Sequence, residues 1–281
     1  MNKAQPRCGI RKLCALLSVQ VSTYYHAPKP SKRADERLVL IEEIQNIHEE
    51  VDKTYGKRRI QVELHAKGYS IGLYKTAQLM KEANVIAIRP RKKHHYTEHE
   101  RLHRLADNLL KRQFNPDTLN THYVGDITYV RTYEGWTYLA AVMDLANREI
   151  VGWACSQRAD ANLAITALDR AINQYQPNTD GLLFHSDQGC QYTAQSMCEY
   201  LTSKDIIQSM SRRGNCFDNA VMERFFRSLK TERLSNVSIL NHEAAIDLIA
   251  KYIRFYNYKR RHSANGLIAP AMKRKQMLNV A

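Results

Sequence analysis

Three carboxylates, an amide and an ammonium carry the chemical interest of this 281-residue chain. Asp126 stands in VGDITYV, Asp187 in HSDQGCQY and Glu223 in GNCFDNAVMERFFRSLK, with Asn219 four residues before the glutamate and Lys230 seven after it. Steps of three, four and seven residues return a helix to one side, so a helix here puts Asn219, Glu223 and Lys230 on one strip. Asp126 falls inside a strand-like run whose alternate residues Val124, Thr128 and Val130 share its face. A charge there is costly unless it is paired or holds a ligand. Asp187 follows the short apolar run LLFHS, and α/β sheets bind ligands in the crevice beyond their strand ends. Three carboxylates converging without an arginine among them repel, raise one another's pKa and gather divalent cations. Oxygen-only donors favour Mg²⁺ or Mn²⁺. Two such ions about 4 Å apart can activate an attacking hydroxyl and stabilise the leaving oxygen of a phosphodiester. A lone glutamate is usually just a solvated helix face. Paired carboxylates also serve glycoside hydrolysis, so the rest of the chain must decide.

The elements that would position these residues are readable. Gly214 and Asn215 belong to a loop, Asp218 or Asn219 can cap a helix start, and Val221, Phe225 and Leu229 recur at four-residue steps beside Met222 and Phe226. Upstream, 123–132, 136–145 and 148–156 read as three β-branched and aromatic strands joined by Glu134-Gly135 and Ala146-Asn147 turns, an antiparallel meander. A helix over 161–176 ends at Pro177. A strand over 182–186, a helix over about 193–203 and a strand over 206–209 lead into the Glu223 helix. The fold class is therefore α/β: a ribonuclease-H-like mixed sheet flanked by helices. A last helix over 241–258 runs into a basic tail.

The first part of the chain is helical and basic. Residues 8–26 read as two short helices around a Ser-Val-Gln turn, closed by Pro28 and Pro30. Leu38, Ile41, Ile44, Ile47 and Val51 predict an amphipathic helix over 36–51. Helices over 58–67 and 73–82, split by a turn at Gly68, have the layout of a helix-turn-helix, although helical bundles that bind nothing share it. A basic linker follows, with a helix over 98–113. His95, His99 and His103 could line one face of it as zinc ligands, but no cysteine or carboxylate is arranged around them. A hydrated, phosphate-facing surface is the better reading. The segments are 1–30, 31–88, 89–117, 118–240 and 241–281.

Charge indicates the partner. The net charge is +14; residues 1–117 carry 23 Lys/Arg against 13 Asp/Glu, and residues 118–281 carry 19 against 15. Basic clusters bind nucleic acid by releasing its counterions. The candidate DNA contacts are Lys230, Asn219, Arg58, Arg59, Lys75, Arg91, Lys92, Lys93, Arg260 and Arg261, with His185 and Gln188 as lesser candidates near the acids. The six cysteines contain no CxxC pair, which argues for reduced thiols, and no apolar run approaches the roughly 20 residues of a membrane span. The start lacks the pattern of an export signal.

Asp126 in GDITY, Asp187 in HSDQGCQY and Glu223 in DNAVMERFFRSLK, with 35 residues between the last two, resemble the DDE motif of bacterial insertion-sequence transposases. The chain is identified as a member of the OrfB-type group, in the family typified by IS-three, whose core is retroviral-integrase-like. YGKRRIQVELHAKGY resembles that family's helix-turn-helix, and YNYKRRHSANG the segment that closes its core. Tyr123, Cys216, Arg224 and Ala264-Asn265 depart from the usual pattern without touching an acid. The resemblance implies a transposase that binds the inverted repeats of its element, frees a 3′-OH by metal-dependent hydrolysis and joins it to target DNA. Asp126, Asp187 and Glu223 would hold two Mg²⁺ or Mn²⁺ ions, and Lys230 a terminal phosphate. It further implies a bacterial cytoplasmic protein, at the nucleoid on DNA, oligomeric there, with the product of an upstream frame as a fusion partner. A catalytically silent DNA-binding regulator is the alternative. A nuclease for RNA–DNA hybrids would leave the helix-turn-helix and the 35-residue interval unexplained.

Overall fold

The computed structural model describes residues 9–22, 32–88, 105–212, 216–235 and 237–280. After a short α1 (Ile10–Leu16), three helices pack together: α2 (Lys32–Glu50), α3 (Lys57–Ala66) and α4 (Leu73–Glu82). Their core is Leu40, Ile44, Ile47, Ile60, Leu64 and Leu79. The buried stripe of α2 runs through Leu40; Leu38, expected in it, is 65% exposed. The α3–α4 turn depends on Gly68, whose φ of +90° only glycine adopts without strain. It lets the Gly68 and Tyr69 amides donate back to the His65 and Leu64 carbonyls and end the helix.

The anticipated helix over 98–113 does not continue into its described part. Residues 105–113 run without helical structure along the last strand of the sheet. The Leu109 and Leu110 amides donate to Ser209 Oγ, Asp107 O accepts from the Met210 amide, and Leu110 is buried. Partners outside the segment thus take the groups a helix would have used. The histidine cluster and Arg91, Lys92 and Lys93 lie outside the described residues.

Five strands form one sheet in the order β3-β2-β1-β4-β5: β1 (His122–Thr132), β2 (Gly135–Asp144), β3 (Glu149–Ser156), β4 (Leu183–Ser186) and β5 (Ile207–Met210). The first three are antiparallel, while β4 runs parallel to β1 and β5 parallel to β4. This is the mixed sheet expected. On one side α5 (Ala161–Tyr175) and α7 (Gln195–Ser203), with the four-residue α6 (Cys190–Thr193) between them, bury Tyr123, Ala140, Val142 and Phe184. On the other, α8 (Ala220–Leu229) and α9 (His242–Tyr258) bury Val124, Leu139, Ala141 and Met143. Asn241 caps α9 by accepting from the Ala244 amide.

The C-terminal segment, expected as a basic tail, is bound into the fold. Arg274 on α10 (Pro270–Val280) pairs with Asp144 and Glu149 and stacks on Tyr175. Arg261 makes a two-pronged contact with Glu63 of α3, at 2.6 and 3.1 Å, and Tyr55 Oη donates to the Lys259 carbonyl. These ties link the N-terminal helices to the sheet. Among the described residues no helix is long and apolar enough to cross a membrane.

Candidate active site

Strand register brings the first two acids together. Strand β1 pairs with β4 only over His122, Tyr123 and Val124, and Val124 stands opposite His185. Asp126 and Asp187 each lie two residues beyond that last pair. In parallel strands, equal steps from a paired position end side by side and on the same face. Just past the pairing, the strands leave a crevice with a carboxylate on each wall. Gly125 permits the close approach: a Cβ there would stand 2.5 Å from the Phe184 ring.

The electrostatics report the same proximity. Burial raises the Asp126 carboxyl well above the ordinary range, and the charges of Asp187 and Glu223 add to the rise. The Ile127 amide, which donates to Asp126 Oδ1 at 2.8 Å, and the Lys230 ammonium pull it partly back. Asp187 is open to solvent on one side, yet the protein around the crevice floor displaces enough water to raise its carboxyl, against the stabilising Gly189 amide. Tyr192, buried beneath, has its phenol pushed up by burial and then by Asp126 and Asp187. Sequence reasoning missed Tyr192, which stands on α6 five residues after Asp187.

Helix α8 carries Glu223. Met222, Phe225, Phe226 and Leu229 are buried, leaving Glu223 exposed on the strip facing the crevice. Lys230 opens the one-turn π-helix Lys230–Leu234, with its ammonium 4.4 Å from the Tyr129 ring centre. Asp187, Glu223 and Lys230 therefore all lie within the field of Asp126. Among the described residues, no three His, Cys, Asp or Glu side chains form a ready-made metal cage. The donor chemistry nonetheless fits a hard cation: oxygen ligands only, two of them raised above their ordinary range. One further acceptor, Asn219 Oδ1, is buried without a hydrogen-bond partner.

Several expected roles change. Neither Asp218 nor Asn219 caps α8. Asp218, with no solvent exposure, accepts from Arg112 Nε at 2.8 Å, Arg212 Nε at 3.1 Å and Asn108 Nδ2 at 2.9 Å. Two guanidinium partners outcompete a helix amide for a carboxylate. Asn219 turns its amide toward the Gly125 carbonyl, 3.5 Å away, and is buried, so it does not face DNA. His185 is fully buried; it bonds to Ser209 Oγ at 2.8 Å and the Asp218 carbonyl at 3.1 Å, locking the α8 entrance onto β4 and β5. Gln188 donates to the Ser211 carbonyl and pins the Asp187 loop. Arg260 is buried on Glu232, at 2.6 and 2.8 Å, and Arg261 is held by Glu63, so both are ties within the protein. Arg59 is half-buried, against the Tyr55 ring. Arg58 and Lys75 are exposed, on the two helices of the helix-turn-helix layout.

Residues 116–216 match the integrase core domain, residues 204–270 a second model of that description, and residues 33–93 an HTH-like domain. The chain is 40% identical over 274 residues to the 31 kDa protein of insertion element IS600 from Shigella sonnei, covering 96% of this chain and 100% of that one. It is 35% identical over 243 residues to the transposase of IS904 from Lactococcus lactis, covering 86% and 96%. It is 32% identical over 276 residues to transposase InsF of IS3A from Escherichia coli, covering 96% and 95%. Sheet order, crevice and domain matches define a polynucleotidyl transferase with an integrase-type core and an upstream HTH-like domain. Identity of this extent then fixes the relationship: the chain belongs to the IS3 family of insertion-element transposases, proteins of DNA transposition.

Proposed function

We propose that Asp126, Asp187 and Glu223 are the acidic triad with which this protein cuts the 3′ ends of its insertion element and joins them to target DNA. The observation that carries this reading is the in-register placement of Asp126 and Asp187 beyond the Val124–His185 pair, with Asp126 in the field of Asp187, Glu223 and Lys230. The three acids would hold two Mg²⁺ or Mn²⁺ ions. When bound, such ions supply Lewis-acid activation of the attacking oxygen and charge stabilisation on the leaving one. Asp126 and Asp187 would give up their protons to hold them, the ions' charge offsetting the burial that raises both carboxyls. Lys230 receives a phosphate of the element end. Arg58 and Lys75 contact the terminal repeat from the HTH-like segment, taken as residues 31–88, while residues 118–240 form the catalytic core. The protein works on DNA as an oligomer, because two ends must be held together, and it acts in the bacterial cytoplasm at the nucleoid. A fusion to an upstream reading frame would extend its DNA-binding part.

The test uses labelled duplexes carrying the element's own ends, with Mg²⁺ or Mn²⁺, and compares the wild type with Glu223→Gln, each alone and fused to the upstream frame. Nicked and joined products that vanish in the variant support the reading. Equal binding by both proteins with no cleavage under any condition would leave a DNA-binding regulator and overturn it.

A further inference from the structure

A cavity of about 420 Å³ lies where α3, the start of α8 and the segment after α9 meet, on the flank of α8 adjoining the Glu223 strip. That size is within the range of small-ligand sites, about 300–1,000 Å³. Four arginines line it: Arg59, Arg148, Arg224 and Arg260. They face little negative charge. Glu232 is engaged through both carboxylate oxygens by Arg260 and also accepts from Tyr252. Arg148 is buried with only oxygen acceptors of neutral groups as its hydrogen-bond partners, the Phe114 and Leu145 carbonyls and the Asn115 amide. Burial, and then Arg260, lower the Arg59 pKa, and burial lowers that of Arg148: both are charged at a cost.

Two further features mark the cavity. Ala220 and Val221, the first residues of the ten-residue α8, form part of its wall, and Arg224 stands one turn further along the same helix. His262 is pushed down to about 3 by burial and by the surrounding arginines, and is neutral at physiological pH. Its Nδ1 accepts from the Ala264 amide, which leaves the ring proton on Nε2 as a donor.

We propose that this cavity is a phosphate-binding site, separate from the acidic crevice, which clamps the HTH-like helices to the catalytic core when filled. Planar guanidinium forks and a neutral imidazole donor are groups that recognise a phosphate, and its negative charge offsets the uncompensated positive charge. Arg59 comes from α3, Arg224 from α8, and Arg148, Arg260 and His262 from the sheet and the segment that ties it to α3. Every part of the junction therefore contributes a group to the cavity wall. The phosphate is either a backbone phosphate of bound DNA or free in solution. The DNA form of the proposal rests on the function given above, whereas occupancy of the cavity does not.

The experiment has two arms, both on the full chain. In the first, inorganic phosphate is titrated at constant ionic strength against chloride, following the unfolding temperature and binding heat. Arg224 is exposed, so Arg224→Ala leaves the fold intact. Wild type gains a few degrees at saturation, and Arg224→Ala binds phosphate about tenfold more weakly. In the second, element-end duplexes with single methylphosphonate linkages are scanned for binding. A position that weakens wild type but not Arg224→Ala identifies a backbone phosphate as the occupant; phosphate binding without such a position identifies the free anion. No phosphate effect and no such position overturn the proposal. Neither arm reads cleavage, so an inactive triad leaves both interpretable.

Discussion

The ammonium of Lys230 lies 4.4 Å from the centre of the Tyr129 ring, and Tyr129 meets Trp136 edge to face at 5.3 Å. Arg131 closes the array, 4.9 Å from the Trp136 ring. Beyond Val124, β1 has no β4 pairing on that edge, and Lys230 crosses it from α8 to reach Tyr129. The ring holds the ammonium beside Asp126, where its charge lowers the carboxyl. A cation over an exposed ring is worth about 0.5–1 kcal/mol. Tyr129→Ala is expected to weaken binding of an element-end duplex two- to fivefold, by roughly that energy. Tyr129→Phe, which keeps the ring, is expected to bind as wild type does. Fluorescence anisotropy on labelled ends measures both; equal loss in the two variants would mean that the hydroxyl, not the ring, does the positioning.

Asp126 gives a stability prediction of unusual sign. Its folded-state pKa is raised, so the folded protein holds a proton that the unfolded chain releases. That contribution is fully present below the ordinary carboxylate range and is lost as pH rises through the folded value. At neutral pH, above the unfolded carboxylate value, Asp126 therefore costs the metal-free fold stability relative to an uncharged side chain. Asp126→Asn is expected to raise metal-free stability at pH 7 by about 1 kcal/mol while abolishing cleavage. Urea unfolding with and without Mg²⁺ checks it: Mg²⁺ stabilises wild type, increasingly as pH rises, and leaves the variant unmoved.

Asp218 has the opposite sign. Arg212 first, then Arg112, hold its carboxyl well below the ordinary range despite the opposing effect of burial. Its contribution is present above the unfolded carboxylate pKa of about 3.9 and fades as pH falls through the folded value. Both arginines are partly exposed, Arg112 at 45% and Arg212 at 62%, so water screens part of the attraction. Asp218→Asn is expected to cost about 2 kcal/mol at pH 7, with the gap to wild type closing below about pH 4. A constant gap across that range would show that packing, not charge, is what the carboxylate contributes.

What was legible in the sequence was periodic or local. Alternation placed Asp126 on the inner face of β1, and four-residue steps placed Glu223 and Lys230 beside a buried stripe. What escaped depends on partners far along the chain. Nothing near Leu109 reveals that Ser209 will take its amide, a hundred residues on, and hold that segment out of a helix. Asp218 sits where caps sit, but its arginines come from positions 112 and 212. Leu38 and Leu40 are equally apolar; only the packing of α3 and α4 selects Leu40. Arg260 and Arg261 read as a basic patch because Glu232 and Glu63 lie 28 and 198 residues away.

That last pair separates a tie from a DNA contact. Arg261 and Glu63 are about one-fifth exposed and joined by two hydrogen bonds, in the range where partly buried pairs couple by about 1 kcal/mol. Arg261→Ala, Glu63→Ala and the double variant form a cycle in which that coupling is expected from unfolding free energies. In the same proteins, the slope of log affinity for DNA against log salt is expected to match wild type for Arg261→Ala. Loss of a phosphate-contacting cation would instead flatten it by about one. Lys75→Ala, on the exposed surface of α4, is the positive control and should flatten it. A flattened slope in Arg261→Ala, with no coupling to Glu63, would return Arg261 to the DNA interface.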